Sequence, residues 1–332
     1  MPHIVVLATG GTIASRASGA DESGGAVATD SAATLLSGLG STGADVTVES
    51  VDVMRVNSFN LTLADMGDIC RAIAEQFTRP EVDGVVVTHG TDTLEETSFL
   101  ADLVHDDSRP VVFTGAQLAA DDPASDGRRN LRDALSVAAA PASLDRGVLV
   151  SFAGSVFAAR GIRKADTVAL QPFDNAGSGK IGTVVAGRVR YTSIPARAST
   201  FALPSSGFGS DRVDVISAYP GADGSLLRAV IDSGTRGVIV SATGNGNPGS
   251  PMVSEIIRAV ASGVVVAVGS RVSSGPVVAV YGNGGAVDAA AAGAVLLGHL
   301  PAAQARILLA LLLDRGDATA ATTELAAFVE TF

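Results

Sequence analysis

What most constrains this chain is an alternation of short, continuously apolar, β-branched runs with amphipathic helical patterns. The runs are HIVVLA (3–8), VTVESV (46–51), GVVVTH (84–89), PVVFTG (110–115) and GVLVSF (147–152). Helical patterns lie between them at 62–77, where Thr62 and Asp65 resemble a capping box, and at 93–105, with an acidic first turn at Glu95-Glu96. A strand that is apolar throughout, not at every second position, has both faces covered. That pattern belongs to the parallel sheet of an α/β domain.

From 153 to 190 the pattern loosens into shorter segments, and 195–212 (PARASTFALPSSGFGSDR) is rich in Pro, Ser and Gly. A second alternating series follows: VDVISAY (213–219), a helix near 223–233, GVIVSAT (237–243), a helix near 251–262, GVVVAVGS (263–270), then helices near 286–295, 301–313 and 319–330. The expected architecture is α/β with two domains. A larger N-terminal parallel-sheet domain covers 1–194, a linker 195–212, and a smaller flavodoxin-like α/β domain 213–332. At about 100–200 residues per domain, 332 residues lead to the same number.

Composition narrows the function classes. Lys+Arg 23 against Asp+Glu 34 leaves −11, which disfavours a nucleic-acid-binding surface. The Ala/Val/Leu runs near 286–313 are broken by Gly293, Gly298, His299 and Arg306, so no membrane span is expected. The start MPHIVVLATGG has no basic segment before an apolar one, so a cytoplasmic protein without a signal peptide is expected. The single cysteine, Cys70, lies in a helical pattern with Ile69, Ile73 and Phe77 and reads as a buried structural thiol. No His/Cys/Asp cluster has metal-ligand spacing, so neither a metal nor another cofactor is expected.

In open parallel sheets the functional groups gather beyond the carboxyl ends of the strands. Here strand one runs into Thr9-Gly10-Gly11-Thr12, the third into Thr88-His89-Gly90-Thr91-Asp92-Thr93, and the fourth into Thr114-Gly115-Ala116-Gln117. If strands one and three lie near each other, the hydroxyls of Thr12 and Thr91 and the Asp92 carboxylate meet in one crevice. The glycines let a substrate approach the backbone and let N–H groups face developing negative charge. A threonine hydroxyl needs a base or a polarising partner to act as a nucleophile, and Asp92 adjoins Thr91. Taken singly, each segment also reads as a tight loop or a helix cap.

ATGGTIAS (8–15) and VVVTHGTDTLEET (85–97) resemble the two signature segments of the bacterial-type L-asparaginase/glutaminase family, and the order of elements resembles it across nearly the whole chain. The pattern also covers Asn57-Ser58, Gly115-Ala116, Ser125-Asp126-Gly127, Lys164, Gly244-Asn245-Gly246-Asn247 and Ser270-Arg271-Val272. The resemblance implies that Thr12 attacks the side-chain amide of L-asparagine, forms an acyl-enzyme ester and releases ammonia, after which water releases aspartate. It implies that Thr91, Asp92 and Lys164 form a second polar triad. It places Gly11, Asn57, Ser58, Ala116, Asn245, Asn247 and Tyr281 on the substrate side, with Ser58 at the α-carboxylate, Asp92 at the α-amino group and the Ala116 carbonyl accepting from the amide nitrogen. It implies a homodimer or homotetramer whose site is completed by a neighbouring C-terminal domain. Composition adds weight to Lys164: the chain's only lysines are Lys164 and Lys180, and lysine, unlike arginine, can shift its pKa far enough for proton transfer.

The sequence departs from the family pattern in three places. The lid segment 15–30 holds no tyrosine, and Gly25 or Ala26 stands where one would contact the nucleophile; Tyr281, Arg16 or Glu22 must serve instead, or turnover is slow. Phe59 follows Ser58 where the periplasmic type has a glutamine. The stretch 272–285 has no acid, and its Tyr281-Gly282 resembles the cytoplasmic type I pattern. Other readings are weaker. Gly244 to Gly249 has dinucleotide-binding spacing but no acidic ribose partner beyond it. An amidotransferase subunit usually carries an added N-terminal domain, and a binding protein on a weakened asparaginase fold has no need of Thr12, Thr91, Asp92 and Lys164. His89 suggests a Ser/His/Asp site, but no Gly-x-Ser-x-Gly elbow occurs.

Overall fold

The computed structural model describes residues 1–17, 26–37, 39, 46–195, 197 and 200–332. Two units divide between Leu203 and Pro204. In the first, β1 (His3–Gly10) leads through a short turn at Thr12–Ala14 into the hairpin β2 (Ser15–Ala17) and β3 (Ala26–Ala28), then α1 (Ala32–Ser37) and β4 (Thr47–Val56). Next come α2 (Leu63–Phe77), β5 (Gly84–Thr88), α3 (Leu94–Val104), β6 (Val111–Thr114), α4 (Gly127–Ala139) and β7 (Val148–Phe152). The unit continues with β8 (Ser155–Ala158), β9 (Arg163–Lys164), β10 (Phe173–Asp174), β11 (Gly182–Val185) and β12 (Arg188–Tyr191).

The main sheet has the order β12-β11-β8-β7-β6-β5-β1-β4. Strands β4, β1, β5, β6 and β7 are parallel, and every residue of β5, β6 and β7 is buried, as continuous apolarity requires. One face packs on α4 through Leu131, Ala134, Leu135 and Ala138, a helix absent from the sequence reading. The Thr62–Asp65 capping box of α2 is present, with each partner bonding the other's backbone N–H.

Past β7 the sheet turns antiparallel, an extension that the loosened pattern at 153–190 did not disclose. Two-residue turns join β7 to β8 at Ala153-Gly154 (φ 47° and 77°) and β11 to β12 at Ala186-Gly187 (φ 49° and 74°). Left-handed φ at both positions matches the twist of a hairpin, but such turns ordinarily advertise themselves as Asn-Gly or Asp-Gly. Alanine in the first position hides them.

The second unit holds β13 (Val213–Ser217), α5 (Ser225–Asp232), β14 (Gly237–Ala242), α6 (Ser250–Ala261), β15 (Val265–Ser270), α7 (Ala286–Ala291), β16 (Val295–Leu296), α8 (Ala302–Arg315) and α9 (Ala318–Glu330). Its four strands are parallel and follow chain order. The apolar run in α8 is buried from Ile307 to Leu313, and a core cluster joins Leu227 of α5, Val238 and Val240 of β14 and Met252 and Ile256 of α6, while the Arg306 Nε donates to the Val213 carbonyl at 3.0 Å. Among the described residues no helix is long and apolar enough to cross a membrane.

Candidate active site

Strands β1, β5 and β6 are neighbours in register, with Ala8 opposite Thr88 and Thr88 opposite Thr114. Their carboxyl ends therefore open on one edge, and the three polar loops meet there. The glycines set how closely. Gly10 and Gly11 take φ of 103° and 79°, a region that suits only glycine here, and a Cβ on Gly11 would overlap the backbone of Gly90. A Cβ on Gly90 would in turn sit 2.5 Å from the Ser58 Oγ. The Gly11 and Gly90 loops thus touch backbone to backbone, Gly90 abuts the Ser58 side chain, and Thr12 and Thr91 each directly follow one of the two glycines in contact.

The third loop is held from below. Both Asp126 carboxylate oxygens accept the Gln117 N–H, at 3.0 and 3.1 Å, and Oδ1 also accepts the Leu118 N–H at 3.0 Å. The Asn130 amide donates to the Gly115 carbonyl at 3.0 Å and to Asp126 at 2.9 Å. The Ser125-Asp126-Gly127 motif therefore shapes the turn that carries Ala116 and Gln117.

Lys164 reaches this edge from β9. Its Nζ donates to the Thr91 Oγ1 at 2.8 Å and to the Asp92 Oδ1 at 2.6 Å. The Thr91 hydroxyl donates onward to the Gln117 Oε1 at 3.1 Å, and the Gln117 amide donates to the Thr167 and Ala169 carbonyls at 3.3 and 3.0 Å. A directed chain of donors results, from Lys164 through Thr91 to Gln117. Thr91 is buried, whereas the Asp92 side chain is 49% exposed, so the ion pair has one face open to an incoming molecule. With its side chain 17% exposed and both of these acceptors in reach, Lys164 is not a solvated surface lysine.

In the sequence only its place just after the fourth strand marks Gln117. Thr93 stands at the N-cap of α3, yet its hydroxyl donates to the Ser58 carbonyl at 2.9 Å and caps nothing. The bland cap-cluster reading of Thr91-Asp92-Thr93 therefore fails at the residue best placed to satisfy it. His89 is wholly buried. Its Nδ1 lies 2.7 Å from the Gly90 carbonyl, its Nε2 has no partner among the described residues, and burial pulls its pKa down to about 4. It is a structural imidazole, not the base of a triad.

The other candidates fall as follows. Asn57, half-buried, precedes the turn at Ser58 and gives its carbonyl to the Asn60 N–H at 2.8 Å. Ala116 is buried. Arg16 makes a forked pair with Asp30 at 2.6 and 2.8 Å. Glu22 and Gly25 lie outside the described residues, and Ala26 opens β3. Asn245, Asn247 and Tyr281 belong to the second unit. There the Asn247 amide donates to the Asn245 Oδ1 at 2.9 Å, and its carbonyl accepts both the N–H and the hydroxyl of Thr243. Tyr281, 60% exposed, lines an open cavity of about 560 Å³ with Tyr219 and Asn247.

Residues 3–197 match the family model described as asparaginase, N-terminal, and residues 212–325 match the glutaminase/asparaginase C-terminal domain. The chain is 36% identical over 325 residues to a probable L-asparaginase of Deinococcus radiodurans, an alignment covering 95% of this chain and 94% of that one. It is 31% identical over 311 residues to an L-asparaginase of Bacillus licheniformis, covering 93% and 95% respectively. Among solved structures it is similar to a probable cytoplasmic L-asparaginase from Campylobacter jejuni, with a TM-score of 0.89, 26% identity and full coverage of both chains. With both family domains matched in order and these relatives similar along nearly their whole length, the chain belongs to the asparaginase family.

Proposed function

We propose that this protein hydrolyses L-asparagine to L-aspartate and ammonia through a threonine ester, with glutamine as a slower substrate. The observation that carries this reading is the bridging position of Lys164 Nζ between Thr91 and Asp92, on the loop packed against Gly11-Thr12. A charged or proton-exchanging group beside a buried hydroxyl supplies what a threonine nucleophile lacks in water.

In this scheme the Thr12 oxygen attacks the carboxamide carbon, and backbone N–H groups of the glycine-rich loops face the oxyanion. The hydroxyl proton passes through Thr91 and Lys164 to the leaving nitrogen as the C–N bond breaks. Ammonia departs, water attacks the ester, and aspartate leaves as Thr12 regains its proton. Asp92 pairs with the substrate ammonium and Ser58, beside Asn57, with its α-carboxylate. Gly11 and the Ala116 carbonyl border the amide. The protein acts in the cytoplasm as a homodimer or homotetramer in which Asn245, Asn247 and Tyr281 of a neighbouring copy complete the site.

The test is ammonia release from asparagine and from glutamine by the wild type, Thr12→Ala, Thr91→Ala and Lys164→Met. Activity on asparagine that is lost in all three variants is expected. A wild type that releases no ammonia from either substrate overturns the hydrolase reading, while an unimpaired Thr12→Ala removes the nucleophile assignment alone. Light scattering of the purified protein checks the assembly.

A further inference from the structure

Lys164 stands on an element that is poorly able to hold it in register. Strand β9 has two residues, pairs among the described residues only with the equally short β10 (Phe173 opposite Lys164, Asp174 opposite Arg163), and lies outside the main sheet. So short a ribbon has little stability of its own. A slip of one residue would present the neighbouring side chain, Arg163, in place of Lys164, and a guanidinium does not give up a proton.

One side chain from elsewhere grips this strand at the critical position. Glu95, in the first turn of α3 and four residues after Thr91, turns its carboxylate to the backbone N–H of Lys164. Acidic residues in a first helical turn ordinarily complement the helix dipole in water, but Glu95 is half-buried and directed at another element. Burial raises its proton affinity, opposed by the Lys164 N–H and by the nearby Arg163 and Lys164 charges.

We propose that Glu95 is a positioning residue that sets the register of β9, so that Lys164, and not Arg163, stands between Thr91 and Asp92. The proposal rests on the reading of Lys164 as part of the reaction. The loop bearing Thr91 and Asp92 and the anchor of Lys164 then belong to one helix start, and the three groups move as a unit. What the anchor requires is an acceptor oxygen at the right reach. Glutamine retains that oxygen; aspartate keeps the charge but is one methylene too short.

The experiment compares asparagine turnover by Glu95→Gln, Glu95→Asp, Glu95→Ala and Lys164→Met, with thermal unfolding of each. Glu95→Gln is expected to keep at least a third of the wild-type kcat. Glu95→Asp and Glu95→Ala are expected to lose about thirtyfold or more in kcat with KM within threefold, because Ser58 and Asp92 are not displaced. If Glu95→Ala does not fold, the contrast between Glu95→Gln and Glu95→Asp decides the matter. Glu95→Asp as active as the wild type, Glu95→Gln as impaired as Glu95→Asp, or losses that appear in KM alone would each overturn the proposal. An unimpaired Lys164→Met would overturn the reading of Lys164 and the proposal with it, whereas an inactive Lys164→Met beside a fully active Glu95→Asp overturns the proposal only.

Discussion

The Lys164 Nζ lies 2.8 Å from the Thr91 Oγ1, a contact between residues 73 positions apart that joins a two-residue strand to the buried end of the main sheet. Because the same nitrogen also holds Asp92 at 2.6 Å, the ammonium, hydroxyl and carboxylate behave as one group.

Removing that nitrogen tests the contact directly. Lys164→Met fills a similar volume without charge, and kcat on asparagine is expected to fall by roughly 10²–10⁴-fold, the usual worth of a positioned proton-transfer group. Steady-state ammonia release, with circular dichroism to show an unchanged fold, checks it.

Gly11→Ala should be far more damaging than its size implies. The new methyl group would overlap the Gly90 backbone, and φ of 79° suits alanine poorly. A loss of about 2–4 kcal/mol in unfolding free energy is expected together with loss of turnover. Urea denaturation measures the first and ammonia release the second.

Stability should fall between pH 6.5 and about 4 for a reason centred on His89. Its folded pKa, about 4, lies below the ordinary 6.5, so in that window the unfolded chain binds more protons and stability rises with pH. The stabilisation is present above pH 6.5, declines as the pH falls through the window and is lost below about 4. His105, also lowered by burial, acts in the same direction. The His89 share is on the order of 3 kcal/mol. Urea unfolding at pH 7, 6, 5 and 4.5 should show a shallower decline for His89→Gln than for the wild type.

The Cys70 thiol should resist alkylation. It is buried on α2, and loss of hydration pushes its pKa up to about 12, so almost no thiolate exists at pH 8. Mass spectrometry after iodoacetamide treatment should find the native protein unmodified and the urea-unfolded protein singly labelled.

Ala186→Asn should stabilise the protein by about 0.5–1 kcal/mol without altering turnover. Ala186 occupies a left-handed hairpin position at φ 49°, which asparagine adopts more readily. Chemical denaturation of the pair measures the gain.

Local composition was enough to place the long parallel strands, helices α2 and α3 and the capping box at Thr62 and Asp65, though not α4 or the two-residue β16, because burial on both faces and helix capping are short-range demands written in consecutive residues. The residues after β1, β5 and β6 stood out for the same reason, since glycine and threonine at strand ends are legible one loop at a time. That Gly11 touches Gly90, that the Lys164 Nζ bridges Thr91 and Asp92 from a two-residue strand, and that Gln117 and Glu95 serve this edge were decided by the tertiary structure alone. Each of these depends on which strands become neighbours and on a side chain crossing from one element to another, and a polar side chain's partner is set by distance in space, which no local pattern encodes. Glu95 shows the division most plainly: in sequence it is a helix-start acid like Glu96, and only the packing of β9 against α3 gives its carboxylate a backbone N–H to hold.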